Sequence, residues 1–330
     1  MITPETAAIR ARMIRTLRAW LDSRGYLEVD TPLLTPRLIP ESYIDPFTTT
    51  FTHPRHEPLP LGLVPSPEVW MKQLLTAGFG DIYQLGHVFR DRENLTDIHN
   101  PEFTMLEWYT VGADADASRA HTMELLSTLA DALGDSIAGQ RRFVGTGHAE
   151  TISIPDAFCE HVGSEIDWFG EADGMRLAAL KAGLTVSADE TEEELFQRVF
   201  LTRVEPNLPA NRCVFVTDYP ALVPTPAARG CDSRFADRWE LYIAGMEIAN
   251  CYTEERESRR LKEYVDSVLD VRGARTDAAT PLPGIDDLAG FAGAQPCSGV
   301  ALGVDRLLAA LLGHRSIRGV IFFPGFSIFR

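Results

Sequence analysis

The sequence lacks both of the short motifs that most often bind a nucleotide. It has no GxxxxGKS or GxxxxGKT phosphate loop, and no GxGxxG segment follows a predicted strand and opens a helix. A nucleotide would therefore have to be held by arginine side chains and a metal ion on an antiparallel sheet.

Basic residues and long apolar runs are also scarce. The 31 Lys and Arg residues stand against 47 Asp and Glu, and the formal charge of −16 opposes non-specific binding to nucleic acid. No apolar run is long enough to cross a bilayer, and the amino-terminal segment MITPETAAIRARMIRTLRAW lacks the apolar centre of a signal peptide. We therefore expect a cytoplasmic protein with no membrane partner and no large nucleic-acid interface.

The sequence also contains few cysteines. The five cysteines are scattered over 330 residues, are odd in number and include no CxxC pair. This pattern indicates neither a disulfide framework nor a zinc site, so we expect reduced thiols. The hydrophobic fraction of 45% is enough for a substantial core.

The most informative segment that is present runs from Cys297 to Leu308, CSGVALGVDRLL. It predicts a strand with Gly299, Ala301 and Gly303 on one face, followed by an apolar helix. A face with so little side chain lets a flat ligand such as an adenine approach the backbone, and Arg306 can then meet a phosphate or stack on a ring. The alternative is that these small residues mark a bulge or tight packing.

A polar loop, RDRENLTDIHN, joins two predicted strands. It gathers Arg90, Arg92, His99 and Asn100 near one sheet edge, where arginine suits phosphate or carboxylate recognition because its planar fork makes bidentate bonds. The alternative is a solvated hairpin loop.

The strand that follows this loop places Phe103, Met105, Glu107 and Tyr109 on one face. A carboxylate among apolar neighbours is costly to bury unless it is paired, so Glu107 beside Tyr109 predicts a cation-binding pocket. A solvent-exposed face is the alternative.

The segment GMEIANCYTEE supplies oxygen ligands of the kind that magnesium prefers. Glu247 and Glu254 have opposite parity in a regular strand, so joint ligation requires a bulge or a change of conformation near Asn250. An exposed acidic turn is the competing interpretation.

Periodicity and turn residues predict the order of elements along the chain. Helices are expected at 7–24, 68–77 and 259–269, with a mostly helical region at 117–207. Strands are expected at 26–34, 46–51, 81–90, 102–111, 213–218, 239–243, 246–251 and 297–303, and a mobile loop at 273–296.

Together these segments resemble a known family, the class II aminoacyl-tRNA synthetases, and within it the lysyl branch. YLEVDTP, FR with HNPEFTMLEWY, and GVALGVDRLL are similar to the three class II motifs, and SPEVWMKQLL, TDYP, MEIAN and SIRGVIFFP are lysyl-like. The resemblance implies an α+β fold, the class II catalytic core, with an antiparallel sheet flanked by helices and a homodimer formed through the first motif.

The class II core begins within the first few dozen residues, so we expect one catalytic domain over 1–330 and no anticodon-binding domain. Ala301 stands where lysyl-tRNA synthetases carry Gly. Both features resemble the truncated paralogues of lysyl-tRNA synthetase that modify elongation factor P. This resemblance implies that ATP and Mg²⁺ activate (R)-β-lysine or lysine as an adenylate, and that the acyl group passes to a lysine of elongation factor P.

The resemblance also assigns roles to individual residues. It assigns amino-acid binding to Ser66, Glu68, Glu107, Tyr109, Asn250, Glu254 and Ala301. It assigns nucleotide binding to Arg90, Glu93, His99, Asn100, Glu247, Gly303 and Arg306. Arg90 and Arg306 are the expected catalytic pair, and Glu247 and Glu254 the expected Mg²⁺ ligands.

Two departures from the family pattern concern the nucleotide loop and the metal site. Arg92 stands where the second motif has Glu, and the loop has one extra residue, so Glu93 is expected to replace the missing acid. Cys251 stands where Gly follows Asn250 in the family.

Two alternatives to the elongation factor P ligase remain open. One is a minimal ligase that acts on tRNA or a small molecule. The other is a non-catalytic regulatory paralogue, which has no chemical need to retain Arg90, Glu247 and Arg306 together.

Overall fold

Strands in the chain form one large sheet and one small one. A computed structural model describes residues 2–93, 95–140, 149–163, 173–273, 288 and 290–329. Its strands are β1 Leu27–Glu28, β2 Leu34–Thr35, β3 Thr48–His53, β4 His56–Leu63, β5 Ile82–Phe89, β6 Glu102–Val111, β7 Glu150–Ser153, β8 Cys213–Pro220, β9 Phe235–Ile243, β10 Met246–Thr253 and β11 Cys297–Gly303.

Helices flank the large sheet. They are α1 Pro4–Ser23, α2 Glu68–Thr76, α3 Ala115–Leu133, α4 Ile154–Val162, α5 Gly174–Lys181, α6 Glu192–Val199, α7 Ser258–Gly273, α8 Val304–Leu311 and the single turn α9 Gly325–Ile328. None of the helices within the described ranges is both long and apolar enough to span a membrane. The predicted mobile loop at 273–296 falls largely outside the described residues.

The large sheet has the strand order β1-β5-β6-β11-β10-β9-β8-β7. All neighbouring pairs are antiparallel except the outermost two, β1 with β5 and β7 with β8. The small sheet has the order β2-β4-β3. The predicted class, an antiparallel sheet flanked by helices, is confirmed.

The main core lies on one face of the large sheet, against α1, α3 and α8. Strand residues that alternate with the polar positions point into it, among them Leu106, Trp108, Val300 and Leu302, each fully buried. The opposite face carries polar side chains at its centre, while two separate apolar clusters lie against it, one at β8 and β9 and one beneath α2. All five cysteines are free thiols, as predicted.

Two predictions of strands were incomplete. Only one strand was expected between Thr35 and Pro67, but β4 pairs with β3 as a second one. Among the described residues, β2 pairs only with Gly62 and Leu63 of β4, so the edge of β4 beside Pro58 and Pro60 has no neighbouring strand. Proline has no N–H to donate and is tolerated at such an edge. The parallel edge strand β7 lies in the region predicted to be mostly helical.

A one-residue bulge in β10 is the local feature that most affects the polar face. The pairing with β9 shifts between Glu247 and Ala249, and both Ile248 and Ala249 are buried in the core. Glu247 consequently lies on the same face as Asn250. A bulge or a change of conformation near Asn250 was predicted from the parity of the two glutamates, and the bulge lies two residues before it, at Ile248.

A buried ion pair joins α1 to α8. Nη1 of Arg10 donates to Oδ1 of Asp305 at 2.5 Å, while Oδ2 of Asp305 accepts from the backbone N–H of Thr104 at 2.8 Å. Arg10 also donates to Oγ1 of Thr104. Because the side chains are only 11% and 5% exposed, this pair is shielded from water and salt.

Replacing Asp305 by Asn should destabilise the protein by about 3–5 kcal/mol, because the buried Arg10 guanidinium would lose its counter-charge. Urea unfolding followed by circular dichroism measures this difference. Asp116→Asn is the matched control, since that side chain is 82% exposed and its pair with Arg119 is solvated. Equal stability of the two variants would contradict the role given to Asp305.

Candidate active site

The polar face of the large sheet carries two adjoining cavities. We call the first the acidic cavity; its wall includes Glu41, Ser66, Glu68, Glu107, Tyr109, Arg238, Glu240 and Glu254. We call the second the arginine cavity; its wall includes Glu93, His99, Asn100, Phe103, Gly303 and Arg306. Both share Arg90, Met105, Glu247, Asn250 and Ala301. All fourteen predicted site residues therefore line one cavity or both.

Strand register explains why distant segments meet here. Asn250 of β10 pairs with Ala301 of β11, which pairs with Glu107 of β6, and Glu240 of β9 lies on the other side of Asn250. Adjacent strands lie about 4.8 Å apart, so these four residues form a row across the floor of the acidic cavity. The row depends on pairing between strands that are far apart in sequence.

Glu107 is buried and held by two hydroxyl groups. Oγ of Ser66 donates to Oε2 of Glu107 at 2.8 Å, and the Tyr109 hydroxyl donates to Oε1 at 2.9 Å. Burial and the nearby Glu68 raise the pKa of Glu107 to about 8. A cation in this cavity would stabilise the ionised form, which supports the prediction of a cation-binding pocket.

Beneath the acidic cavity, the buried Lys72 lies between two glutamates. Its Nζ is 2.6 Å from Oε1 of Glu68 and 2.6 Å from Oε2 of Glu254. Burial alone would lower the pKa of Lys72, but the two carboxylates outweigh it and raise that pKa. The sequence prediction missed Lys72, although its position four residues after Glu68 in an apolar helix was an available signal.

The charge of the acidic cavity is strongly unbalanced. Six glutamates line it, namely Glu41, Glu68, Glu107, Glu240, Glu247 and Glu254, against the two arginines Arg90 and Arg238. Burial raises the pKa of Glu254 to about 7 even beside Lys72. A ligand with one or two ammonium groups would relieve this crowding, whereas an anionic side chain would add to it.

The small residues of β11 serve different purposes along the strand. A Cβ built at Gly299 would lie 2.5 Å from Cε1 of Tyr109 and 2.6 Å from Oε1 of Glu254, so protein atoms already fill that space. At Gly303 the nearest atom is 3.7 Å away, and Ala301 lines both cavities. The face predicted to be bare for a ligand is therefore open only at its Ala301–Gly303 end.

Arg90 lies where the two cavities meet. Its backbone N–H pairs with the carbonyl of Pro101, its guanidinium lies 5.2 Å from the Phe103 ring, and its Nε is buried without a hydrogen-bond partner among the described residues. Burial lowers the pKa of Arg90. A buried Nε–H without a partner on a guanidinium that lines both cavities fits an anion such as a carboxylate or phosphate.

Arg306 occupies the first turn of α8 at the far side of the arginine cavity. Its Nε donates to the carbonyl of Ile98 at 3.1 Å, and its Nη1 contacts Oε2 of Glu247 at 3.3 Å. Burial and the adjacent Arg306 lower the pKa of His99, which lines the same cavity. The arginine cavity is thus the more cationic of the two.

The loop after Arg90 places Arg92 and Glu93 differently. Arg92 has a left-handed backbone with φ +56° and is exposed outside both cavities, while Glu93 lines the arginine cavity. This geometry supports the predicted replacement by Glu93. The Asn100 amide instead bonds to backbone, to the carbonyl of Glu102 and the N–H of Gly325, so its nucleotide role stays a prediction.

The expected Mg²⁺ ligands are not equivalent. Glu247 lines both cavities and has a side chain that is 35% exposed, so its carboxylate fits a metal ion at the junction. Glu254 is paired with Lys72 and almost completely buried. The described residues hold no group of three or more His, Cys, Asp or Glu placed to bind a metal, so phosphate oxygens would have to supply further ligands.

Three charged residues that line the acidic cavity had no place in the sequence prediction. Arg238 and Glu240 alternate along β9, where Nη2 of Arg238 lies 2.5 Å from Oε1 of Glu240. Because they are two residues apart in RWELYI, the sequence places them on the same face of the strand, which only weakly indicates that they line a site. Glu41 lies in a loop, and no periodicity marks such a position.

Comparison with known proteins identifies the family of this chain. A family description, tRNA synthetases class II (D, K and N), matches residues 3–327. The chain belongs to this family. It is also 35% identical over 321 residues to the elongation factor P–(R)-β-lysine ligase of Salmonella typhi, which covers 95% of this chain and 93% of that protein. The protein of the same name from Enterobacter sp. is 35% identical over 319 residues, with the same coverage.

Membership of this class II family confirms several predictions. The resemblance stated from the motifs, the fold class and the expectation of an ATP-dependent ligase are all borne out. The roles of individual site residues are not tested by it and stay predictions.

Affinity for lysine should increase as pH rises towards 8, because Glu107 loses its proton near pH 8 and the distal ammonium of lysine remains charged. Below that pH the protonated carboxyl cannot pair with the cation, which weakens binding by up to about tenfold per unit. Calorimetric titration at several pH values measures this dependence, and binding should release protons.

Glu107→Gln should bind lysine more weakly and show a shallower pH dependence between pH 7 and pH 8. Glu102→Gln, at the exposed start of the same strand, is the matched control and should keep the original profile. An unchanged slope in Glu107→Gln would contradict the assignment of the distal ammonium to Glu107.

Proposed function

We propose that this class II protein activates (R)-β-lysine or lysine with ATP and transfers the acyl group to a lysine side chain of elongation factor P. The observation that carries the proposal is the pairing of the two cavities. One is lined by six glutamates and suits a cationic amino acid. The other contains arginine side chains and suits polyphosphate.

The proposed orientation of the substrates follows from the charges. The distal ammonium pairs with Glu107 and Tyr109, and the other amino group lies near Ser66 and Glu68. The carboxylate then reaches the junction, where Arg90 and Asn250 line both cavities. The nucleotide occupies the arginine cavity, with Arg306 at its phosphates and His99 and Asn100 near the adenine.

Activation in this arrangement depends on alignment and charge stabilisation. Arg90 holds the amino-acid carboxylate beside the α-phosphate, and Arg306 stabilises charge on the phosphates. Glu247 would hold Mg²⁺ at the junction, where the ion would supply further charge neutralisation, whereas Glu254 is already paired with Lys72. The side chains of the site need not form a covalent intermediate.

The position of Ala301 supports a β-amino acid. Its methyl group lies in the row between Asn250 and Glu107, where lysyl-tRNA synthetases have the hydrogen of Gly. An amine displaced by one carbon fits this space better than an α-amine. A steric difference of this size is worth about 1–3 kcal/mol, which changes preference without abolishing binding of lysine.

The protein acceptor is supported by the relatives and by charge. Two similar proteins are named elongation factor P–(R)-β-lysine ligases, and a net charge of −16 disfavours polyanionic tRNA. We propose that residues 1–330 act as one cytoplasmic catalytic domain.

We further propose a homodimer formed around the first motif. Large apolar side chains are exposed there on β1 to β4 and the adjoining loop, namely Leu27, Leu33, Leu34, Phe51 and Leu59.

Replacing Arg90 or Arg306 by Ala should reduce lysine-dependent ATP–pyrophosphate exchange by about 10²-fold or more, because each removes charge stabilisation from the reacting phosphates. Arg92→Ala is the matched control in the same loop and should keep normal exchange, since Arg92 lies outside both cavities. All three variants are first compared by circular dichroism. Near-normal exchange in folded Arg90→Ala and Arg306→Ala would refute the assigned roles.

Labelled amino acid should pass from the adenylate to elongation factor P and scarcely to total tRNA, with (R)-β-lysine used in preference to lysine. The assay compares both acceptors with the same activated amino acid at physiological salt. Charging of tRNA alone would favour the minimal tRNA ligase instead. Amino-acid binding without any pyrophosphate exchange would favour the regulatory paralogue.

A further inference from the structure

The loop between β2 and β3 brings one more carboxylate to the site. Glu41 lines the acidic cavity between Ile39 and Ile44 of the same loop. Helix α7 holds this loop in place, since the Tyr264 hydroxyl donates to the carbonyl of Pro40 at 2.7 Å and Nη1 of Arg272 donates to that of Glu41 at 3.0 Å. The backbone of Glu41 is therefore fixed while its side chain reaches the cavity.

The Glu41 carboxylate differs from its neighbours in lacking a fixed partner. Glu68 and Glu254 pair with Lys72, and Glu107 accepts from Ser66 and Tyr109. Within the described ranges, no hydrogen bond or ion pair reaches the carboxylate of Glu41. The residue is partly exposed, so an incoming group can approach it.

The charged groups that face Glu41 are four side chains from three elements. They are Glu68 and Lys72 of α2, Arg90 after β5 and Arg238 of β9. Burial and Glu68 outweigh the three cations and raise the pKa of the Glu41 carboxyl to about 7. The group can thus exchange a proton near neutral pH, which suits acid–base chemistry.

We propose that the Glu41 carboxylate is the general base that takes a proton from the acceptor ammonium in the transfer step. This inference rests on the proposed function, because it requires an activated carbonyl at the junction beside Arg90. An alkylammonium with an ordinary pKa of about 10.4 is protonated at neutral pH and cannot attack until it loses a proton. Glu41 is the carboxylate of this cavity that is free to receive it.

The proposed step balances in atoms and charge. Glu41 takes one proton from the acceptor R–NH₃⁺, and the nitrogen lone pair attacks the carbonyl carbon to form the C–N bond. The bond from carbonyl carbon to phosphate oxygen breaks, and AMP leaves with the electron pair. The second proton of the former ammonium passes from nitrogen to water, and Glu41 returns its own proton to solvent through its exposed side.

The test compares two half-reactions in Glu41→Gln. ATP–pyrophosphate exchange reports activation, and single-turnover reaction of the isolated enzyme–adenylate complex reports transfer. The acceptors are elongation factor P, Nα-acetyl-lysine, and hydroxylamine, which is largely unprotonated at neutral pH and needs no base. Transfer to both lysine acceptors should fall about 10²-fold more than exchange does, and transfer to hydroxylamine should not share that loss.

Two further variants sharpen the comparison. Glu41→Asp keeps the carboxylate and should recover part of the lysine transfer. Glu57→Gln, an exposed glutamate in β4, should leave all three reactions unchanged.

Three outcomes for Glu41→Gln would overturn the inference. Parallel loss of exchange and transfer would make Glu41 a binding residue, and equal loss with hydroxylamine would make it a positioning residue. Unchanged lysine transfer would exclude it as the base.

If the parent enzyme modifies Nα-acetyl-lysine but not elongation factor P, and Glu41→Gln still separates the half-reactions, the proposed acceptor fails while the base assignment stands. If the parent modifies neither lysine acceptor, both proposals fail.

Discussion

The buried pair of Arg10 and Asp305 sets the geometry on which the rest of the molecule depends. One carboxylate oxygen of Asp305 meets α1 through Arg10, and the other meets the backbone of β6 at Thr104. The first turn of α8 is thereby fixed against the sheet. Arg306 is the next residue, so the same interaction fixes the turn from which its guanidinium contacts Glu247 in the arginine cavity.

Carboxylate crowding gives the acidic cavity its selectivity. Desolvation and mutual repulsion raise the pKa of Glu41, Glu107 and Glu254, so the empty cavity is electrostatically unfavourable for ionised acids. Lys72 offsets part of this repulsion from below. The ammonium groups of a bound ligand would offset the remaining repulsion among the glutamates. A cationic amino acid therefore gains more binding free energy in this cavity than a neutral one of the same size.

Two small backbone features shape the polar face of the sheet. The bulge at Ile248 moves Glu247 to the face of Asn250, and the absence of a side chain at Gly299 lets Tyr109 and Glu254 approach β11. A regular β10 would turn Glu247 into the core, where its charge would be unpaired. The junction at Arg90 therefore depends on backbone geometry as much as on side-chain chemistry.

Local pattern alone determined most of the element order apart from β4 and β7. It also determined the antiparallel pair β5–β6 and the strand–helix unit that carries Arg306, because periodicity and turn residues act over short distances. Motif order determined the class II family, and strand parity predicted that Glu247 needs a bulge. Tertiary structure decided the rest. Lys72, Arg238 and Glu41 became part of the site only when long-range strand pairing and a clamped loop brought them to one cavity, and burial, which sequence does not show, shifted the pKa values of its acids.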